Sequence, residues 1–309
     1  MRFQDRVIGC FKGLATGDAI GKQTETLARD DVLRWYPRGI AGFEGRPGDV
    51  IPRYAGKRYE WRIGETTDDT EQTLAVTRAL LNEPAVNHQA IGRELLKCRK
   101  STHPGVSLWA FLEIGDPARI ATEGDGCGAA MRSAPIGVIC PTSDLANLVR
   151  AARECALPTH GGPLAIAAAA AVAAAVSAAL EGRAPAEVLA VAIEASGGML
   201  PIERIYSDLR ARTPLSPDDV AARHFPGNAP TIAGLAIALA LITASAEYTA
   251  LLAANIGGDA DSVASIGGAI AGAMHPETVN PAWFEIVAAV NRDPILELAV
   301  SLAALRQRD

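Results

Sequence analysis

Apolar residues recur at helical spacing along most of the chain. They predict helices over residues 4–16, 70–81, 88–100, 143–155, 163–180, 184–195, 231–244, 248–255 and 261–274. Asn87, Ser143 and Ser216-Pro217 stand where N-caps belong, and Pro163 suits a first helical turn. No stretch sustains a period-two alternation of β-branched residues, so few strands are expected. Three stretches read as irregular. Residues 38–64, rich in Gly, Pro and Arg, predict a long loop; 157–162 predict a turn holding His160; 222–230 predict a loop holding His224. No repeat or linker divides the chain, and the expected architecture is one all-α domain over residues 1–309.

The segment 163–180, PLAIAAAAAVAAAVSAAL, approaches the length of a membrane span. Alanine is scarcely hydrophobic enough to insert, so a buried central helix is the better reading. With 49% hydrophobic and 21% charged residues among 309, a sizeable core is available and wholesale disorder is not expected. Aromatic residues make up only 5%, and a core so rich in Ala and Gly implies that helix axes approach closely. The formal charge of −6 and the lack of any basic run argue against nonspecific nucleic-acid binding. Cys10, Cys98, Cys127, Cys140 and Cys155 show no C-x-x-C spacing and read as reduced thiols of a cytoplasmic protein. Asp5, Arg6 and Lys12 interrupt the N-terminal segment, so no signal peptide is expected.

Two acid clusters interrupt this apolar pattern. One is Thr66-Thr67-Asp68-Asp69-Thr70, the other Gly257-Gly258-Asp259-Ala260-Asp261-Ser262. Neighbouring carboxylates among apolar residues are costly to bury, and a divalent cation is the simplest remedy. An all-oxygen donor set suits a hard ion such as Mg²⁺, Mn²⁺ or Ca²⁺. Either cluster alone could instead cap a helix start, since Asp and Thr oxygens accept from the free N–H groups of a first turn. Two clusters at two predicted helix starts point toward a shared dinuclear site.

Three further segments carry polar groups. Gly17-Asp18-Ala19-Ile20-Gly21-Lys22-Gln23-Thr24-Glu25 sets Asp18 and Glu25 around a glycine-rich helix end, which is commonplace. The stretch 124–135, GDGCGAAMRSAP, places glycines ahead of an apolar run, where backbone N–H groups could face an anion such as a diphosphate. It matches neither a P-loop nor a Rossmann fingerprint. Thr159-His160 offers an imidazole that could donate to a ligand hydroxyl or phosphate.

In this order, GDAIGKQTE at 17–25, TTDDTEQT at 66–73, GDGCGAAMRSAPIG at 124–137, Thr159-His160 and NIGGDADSVASIGGAIAGA at 255–273 resemble the ADP-ribosylglycohydrolase family, which includes dinitrogenase-reductase-activating glycohydrolases and ADP-ribosyl-acceptor hydrolases. The resemblance implies a compact, orthogonal, all-α multi-helix bundle with a dinuclear metal cleft holding two Mg²⁺ or Mn²⁺ ions. It implies metal-dependent hydrolysis of the glycosidic bond between ADP-ribose and an acceptor, either a protein side chain such as arginine or a small molecule. By position, Thr67, Asp68, Asp69, Asp259, Asp261 and Ser262 would be metal ligands. Glu25 would be the first candidate for general acid/base, with Asp68 and Asp69 second. Gly124, Asp125, Gly126, Cys127, Gly128 and Met131 fall on the segment that lines ADP-ribose, and His160 on the histidine that contacts it. Ser262 stands where many members have Thr, and Asp125 where Asn is frequent, which adds an anion near the expected diphosphate. Two other readings stand beside this one: a catalytically inactive ADP-ribose- or nucleotide-binding protein, for which Asp125 and Ser262 are the sequence support, and a hydrolase of O-acetyl-ADP-ribose, α-NAD⁺ or a nucleoside. Turnover assays across linkages separate them.

Overall fold

The computed structural model describes residues 1–44, 62–83, 85–100 and 106–306. Among them every regular element is helical and there is no strand. In chain order the helices are α1 (Phe3–Gly21), α2 (Arg29–Trp35), α3 (Asp68–Asn82), α4 (His88–Leu95), α5 (Val106–Ile114) and α6 (Gly128–Met131). Next come α7 (Ala134–Ile139), α8 (Leu145–Ala156), α9 (Pro163–Leu180), α10 (Pro185–Ala195), α11 (Ile202–Arg210) and α12 (Pro217–His224). The last five are α13 (Ala229–Thr243), α14 (Ala246–Ile256), α15 (Ala260–Met274), α16 (Pro281–Asn291) and α17 (Ile295–Arg306).

The core is built from helices that are apolar on nearly every face. In α9 residues 167–180 are all buried, as the alanine-rich segment predicts for a central helix; 83% of its apolar window lies inside the fold. The closest pairing is α1 against α15, antiparallel and with backbone touching backbone. Gly9, Gly13, Gly17 and Gly21 repeat every fourth residue and so share one face of α1. A Cβ at these positions would sit 2.3, 2.2, 2.1 and 2.3 Å from the carbonyl oxygens of Gly272, Gly268, Ala264 and Ala260 respectively. Those distances lie far inside van der Waals contact, so only glycine permits this approach.

Several elements differ from expectation. Helix α1 runs on to Gly21, because Gly17 and Gly21 serve the helix–helix contact and do not end the helix. Helix α4 stops at Leu95 instead of residue 100. Asn87 does cap it, its side chain accepting from the Ala90 N–H. At α8 the cap is Asp144, which accepts from the Asn147 N–H, and not Ser143. His224 is the last residue of α12, not a loop residue; it is buried and bonded to Asp208 at 2.9 Å. Of the expected 38–64 loop, residues 45–61 lie outside the described residues. Residues 40–44 are pinned, with Asn255 bonded to both Ile40 N–H and C=O and Gln23 bonded to Gly42 O and Glu44 N–H.

Gly17→Ala should push α1 away from α15 and destabilise the protein by about 1–3 kcal/mol, the usual scale for overpacking a tight interface. Urea denaturation, comparing midpoints at equal slope, measures this, with Gly227→Ala as the control because a Cβ there meets nothing within 4 Å.

Candidate active site

The first acid cluster begins α3, yet its two aspartates do not perform the capping. Asp18, fully buried in α1, accepts from Thr67 N–H at 3.0 and 3.1 Å, from Thr70 N–H at 3.1 Å and from Thr70 Oγ1 at 2.5 Å. Thr67 Oγ1 accepts from Asp69 N–H at 3.1 Å. The Thr67, Asp69 and Thr70 N–H groups at this helix start are thus served by Asp18 and Thr67. Asp68 accepts from Gln72 Nε2 at 2.8 Å, one helical turn on, and Asp69 Oδ1, although buried, has no hydrogen-bond partner among the described residues.

The second cluster behaves alike. Asp259 occupies the N-cap position of α15 but makes no side-chain cap bond. Gly257 and Gly258, at φ of 84° and 69°, turn the chain through the left-handed region just before it. That turn is fastened by Thr26 N–H to Gly258 O at 2.6 Å, Gly258 N–H to Leu27 O at 2.8 Å and Asp259 N–H to Pro226 O at 3.0 Å. Asp261 Oδ1 is a second buried oxygen without a partner among the described residues.

The two clusters meet. Ser262 Oγ lies 3.5 Å from Asp69 Oδ2, and Cys127 Sγ donates to Asp259 Oδ2 at 3.0 Å while lying 3.6 Å from Ser262 Oγ. A cavity of about 240 Å³ opens over them, lined by Glu25, Asp68, Asp69, Asp259, Asp261 and Ser262 on one side and by Gly126, Cys127, Gly128, Met131 and His160 on another. Five carboxylates share this space. Burial, and then repulsion from Asp18, Asp68, Asp259 and Glu25, holds the Asp69 carboxyl well above the usual range. Burial, with Glu25, Asp69 and Asp259, does the same to Asp261, against the pull of Lys22. Lys22 is buried and ion-paired with Glu25; burial works against its charge, but Glu25 and Asp261 outweigh it and raise its pKa.

Crowded acids with unsatisfied oxygens are the chemistry a divalent cation requires. Among the described residues, no three His, Cys, Asp or Glu side chains stand close enough to hold one ion as they are. Cys127 faces the acids as well, donating to Asp259. Burial and the adjacent Asp259 push that thiol well up, so it is a proton donor here.

The remaining expected residues divide. Gly126 and Gly128 lie against the imidazole of His160, where a Cβ would come within 3.2 Å of Nε2 and 2.7 Å of Cε1 respectively. Thr67, Gly124 and Asp125 do not line the cavity. Asp125 is exposed and its Oδ1 accepts from Leu164 N–H at 2.9 Å and Ala165 N–H at 3.1 Å, so its charge satisfies the start of α9. Gly161 N–H to Glu123 O and Gly162 N–H to Gly124 O tie the glycine segment to the turn carrying His160.

Sequence reasoning missed Lys22, Gln72, Leu108, Arg132 and the tethering role of Asp18. Two signals were there to find them: Gln72 lies four residues after Asp68 on one helix face, and Arg132 sits alone within an apolar run.

The whole chain, residues 1–309, matches the family model described as ADP-ribosylglycohydrolase. It is 27% identical to YegU of Escherichia coli K12, covering 98% of each chain. It is 26% identical to the ADP-ribosylarginine hydrolase Tri1 of Pseudomonas putida GB-1, covering 92% of this chain and 74% of that one. A solved structure titled ADP-ribosylglycohydrolase-related protein complex superposes with a TM-score of 0.68 at 26% identity, covering 99% of both chains.

His160 is neutral in the folded protein, since burial first and then Arg132 push its pKa from 6.5 down to about 3. The unfolded chain therefore binds the extra proton between those values, and stability falls as pH drops from 6.5 toward 3. His160→Gln should lessen that acid-side slope relative to wild type, as read from denaturant midpoints at a series of pH values. Asp18→Asn places an amide against three donors and should cost about 1–3 kcal/mol in the same assay.

These comparisons, together with the convergence of the two acid clusters on one cavity, show that the chain belongs to the ADP-ribosylglycohydrolase family and is a hydrolase of glycosidic bonds.

Proposed function

We propose that this chain, as one domain over residues 1–309, is a metal-dependent hydrolase that releases ADP-ribose from an acceptor. The observation that carries the metal is a pair of buried oxygens, Asp69 Oδ1 and Asp261 Oδ1, without partners among the described residues, in one five-carboxylate cavity. Thr67, Asp68, Asp69, Asp259, Asp261 and Ser262 would hold two divalent cations, Mg²⁺ or Mn²⁺. When bound, the ions supply positive charge and Lewis acidity for the ribose hydroxyls and the attacking water.

The chain's own residues then do the following. Glu25, its carboxylate steadied by Lys22, accepts a proton from water as that water attacks C1 of the ribose. The bond from C1 to the acceptor atom breaks, and Glu25 passes the proton taken from water to that departing atom, so the carboxylate is regenerated. Positive charge that develops on the sugar is stabilised by the surrounding carboxylates. Gly126, Cys127, Gly128 and Met131 form the wall against which ADP-ribose rests, and His160 presents a ring nitrogen to it. Similarity to an ADP-ribosylarginine hydrolase supports arginine as the acceptor, and five free cysteines suit a cytoplasmic setting.

Asp261→Asn should leave helicity by circular dichroism intact while weakening Mn²⁺ binding by more than about 100-fold, beyond the effect typical of residues that only support a ligand. Hydrolysis should vanish with it. Full activity after exhaustive chelation would rule the metal out. Matched assays on ADP-ribosyl-arginine, ADP-ribosyl-serine and O-acetyl-ADP-ribose, with released sugar measured, identify the acceptor.

A further inference from the structure

Arg132 touches none of the reacting atoms, yet it is completely buried and bonds toward both walls of the cavity. Its Nη1 donates to Gln72 Oε1 at 2.9 Å. Its Nη2 donates to Cys155 O at 3.0 Å, Ala156 O at 3.3 Å and Thr159 Oγ1 at 2.7 Å. A guanidinium can only donate, so each partner has to turn an acceptor toward it. Gln72 therefore faces Arg132 with its oxygen and Asp68 Oδ2 with its NH₂, at 2.8 Å.

The same logic runs through Thr159. Its Oγ1 is engaged as an acceptor, which leaves the hydroxyl hydrogen needing a partner. Among the described residues, His160 Nδ1, 2.6 Å away, is the acceptor within reach. Were Nδ1 protonated instead, the Thr159 hydroxyl hydrogen would be buried without an acceptor, a penalised arrangement. The neutral ring thus carries its hydrogen on Nε2. That nitrogen has no partner among the described residues and lies on the cavity wall beside Gly126.

We propose that Arg132 is a positioning residue that sets the hydrogen-bond direction on both walls of the cavity: through Thr159 it makes His160 Nε2–H a donor to an oxygen of ADP-ribose, and through Gln72 it holds the Asp68 carboxylate in place. The ligand part rests on the proposed function, but the tautomer is a property of the free protein. Burial and the Arg132 charge also keep the ring neutral, pushing it to about 3, so a donor nitrogen persists without an added charge.

Thr159→Val keeps the shape and deletes the hydroxyl, and Thr159→Ser restores it. Side-chain ¹⁵N–¹H NMR on metal-free protein reads the His160 tautomer, and steady-state kinetics with Mn²⁺ read KM and kcat. Wild type should show hydrogen on Nε2. Thr159→Val should populate the Nδ1–H form and raise KM about 10-fold with kcat little changed, on the scale of one hydrogen bond. Thr159→Ser should return both values. Arg132→Lys, which cannot span both arms, should disturb the tautomer as well; if it fails to fold, Thr159→Val still decides. Hydrogen on Nδ1 in wild type, or a Thr159→Val protein with unchanged tautomer and KM, overturns the proposal. An inactive wild type would count against the proposed function, while the tautomer measurement still decides the role of Arg132.

Discussion

The structure depends on the direct contact between the backbones of α1 and α15. Four glycines at a spacing of four remove every side chain from one face of α1, and carbonyl oxygens of α15 fill the space. Two consequences for the cavity follow. The C-terminal end of α1 is drawn against the N-terminal end of α15, which brings Lys22 and Glu25 beside Asp261. In the same helix Asp18 faces outward from this seam and receives the first turn of α3. One tight interface therefore places the acids of three separate segments around one space.

Capping explains why those acids remain available. A helix N-terminus has N–H groups that need acceptors, and the nearest aspartates would ordinarily supply them. At α3 that task falls to Asp18 and Thr67, and at α15 the Asp259 side chain turns toward Cys127. Asp69 and Asp261 are thereby left buried, each with an oxygen unmatched among the described residues. The protein accepts this electrostatic strain, a mark of a site shaped for a ligand.

Facing the acids is a neutral, donor-bearing wall. Gly126 and Gly128 make room for the imidazole of His160, and Arg132 supplies buried hydrogen bonds behind it. Among the described residues the arginine has no carboxylate as a hydrogen-bond partner, and it bonds instead to Gln72 and Thr159. Asp125 is engaged at the start of α9 and lies outside the cavity lining.

The amino-acid sequence by itself determined the helical class, the central burial of the alanine-rich segment, the close packing implied by glycine and the two acid motifs, because each is written in local periodicity or composition. It also showed that α9 begins at Pro163 and that Asn87 caps α4, since both are choices of one residue and its neighbours. Only the tertiary structure decided that Asp18 joins Thr67 in capping α3 while Asp68 does not, that Gly17 and Gly21 continue a helix, and that Cys127 brings a thiol to the acids. Those outcomes turn on which distant group fills a valence or a gap, and no local pattern records the distance between residues 18 and 70 or 127 and 259.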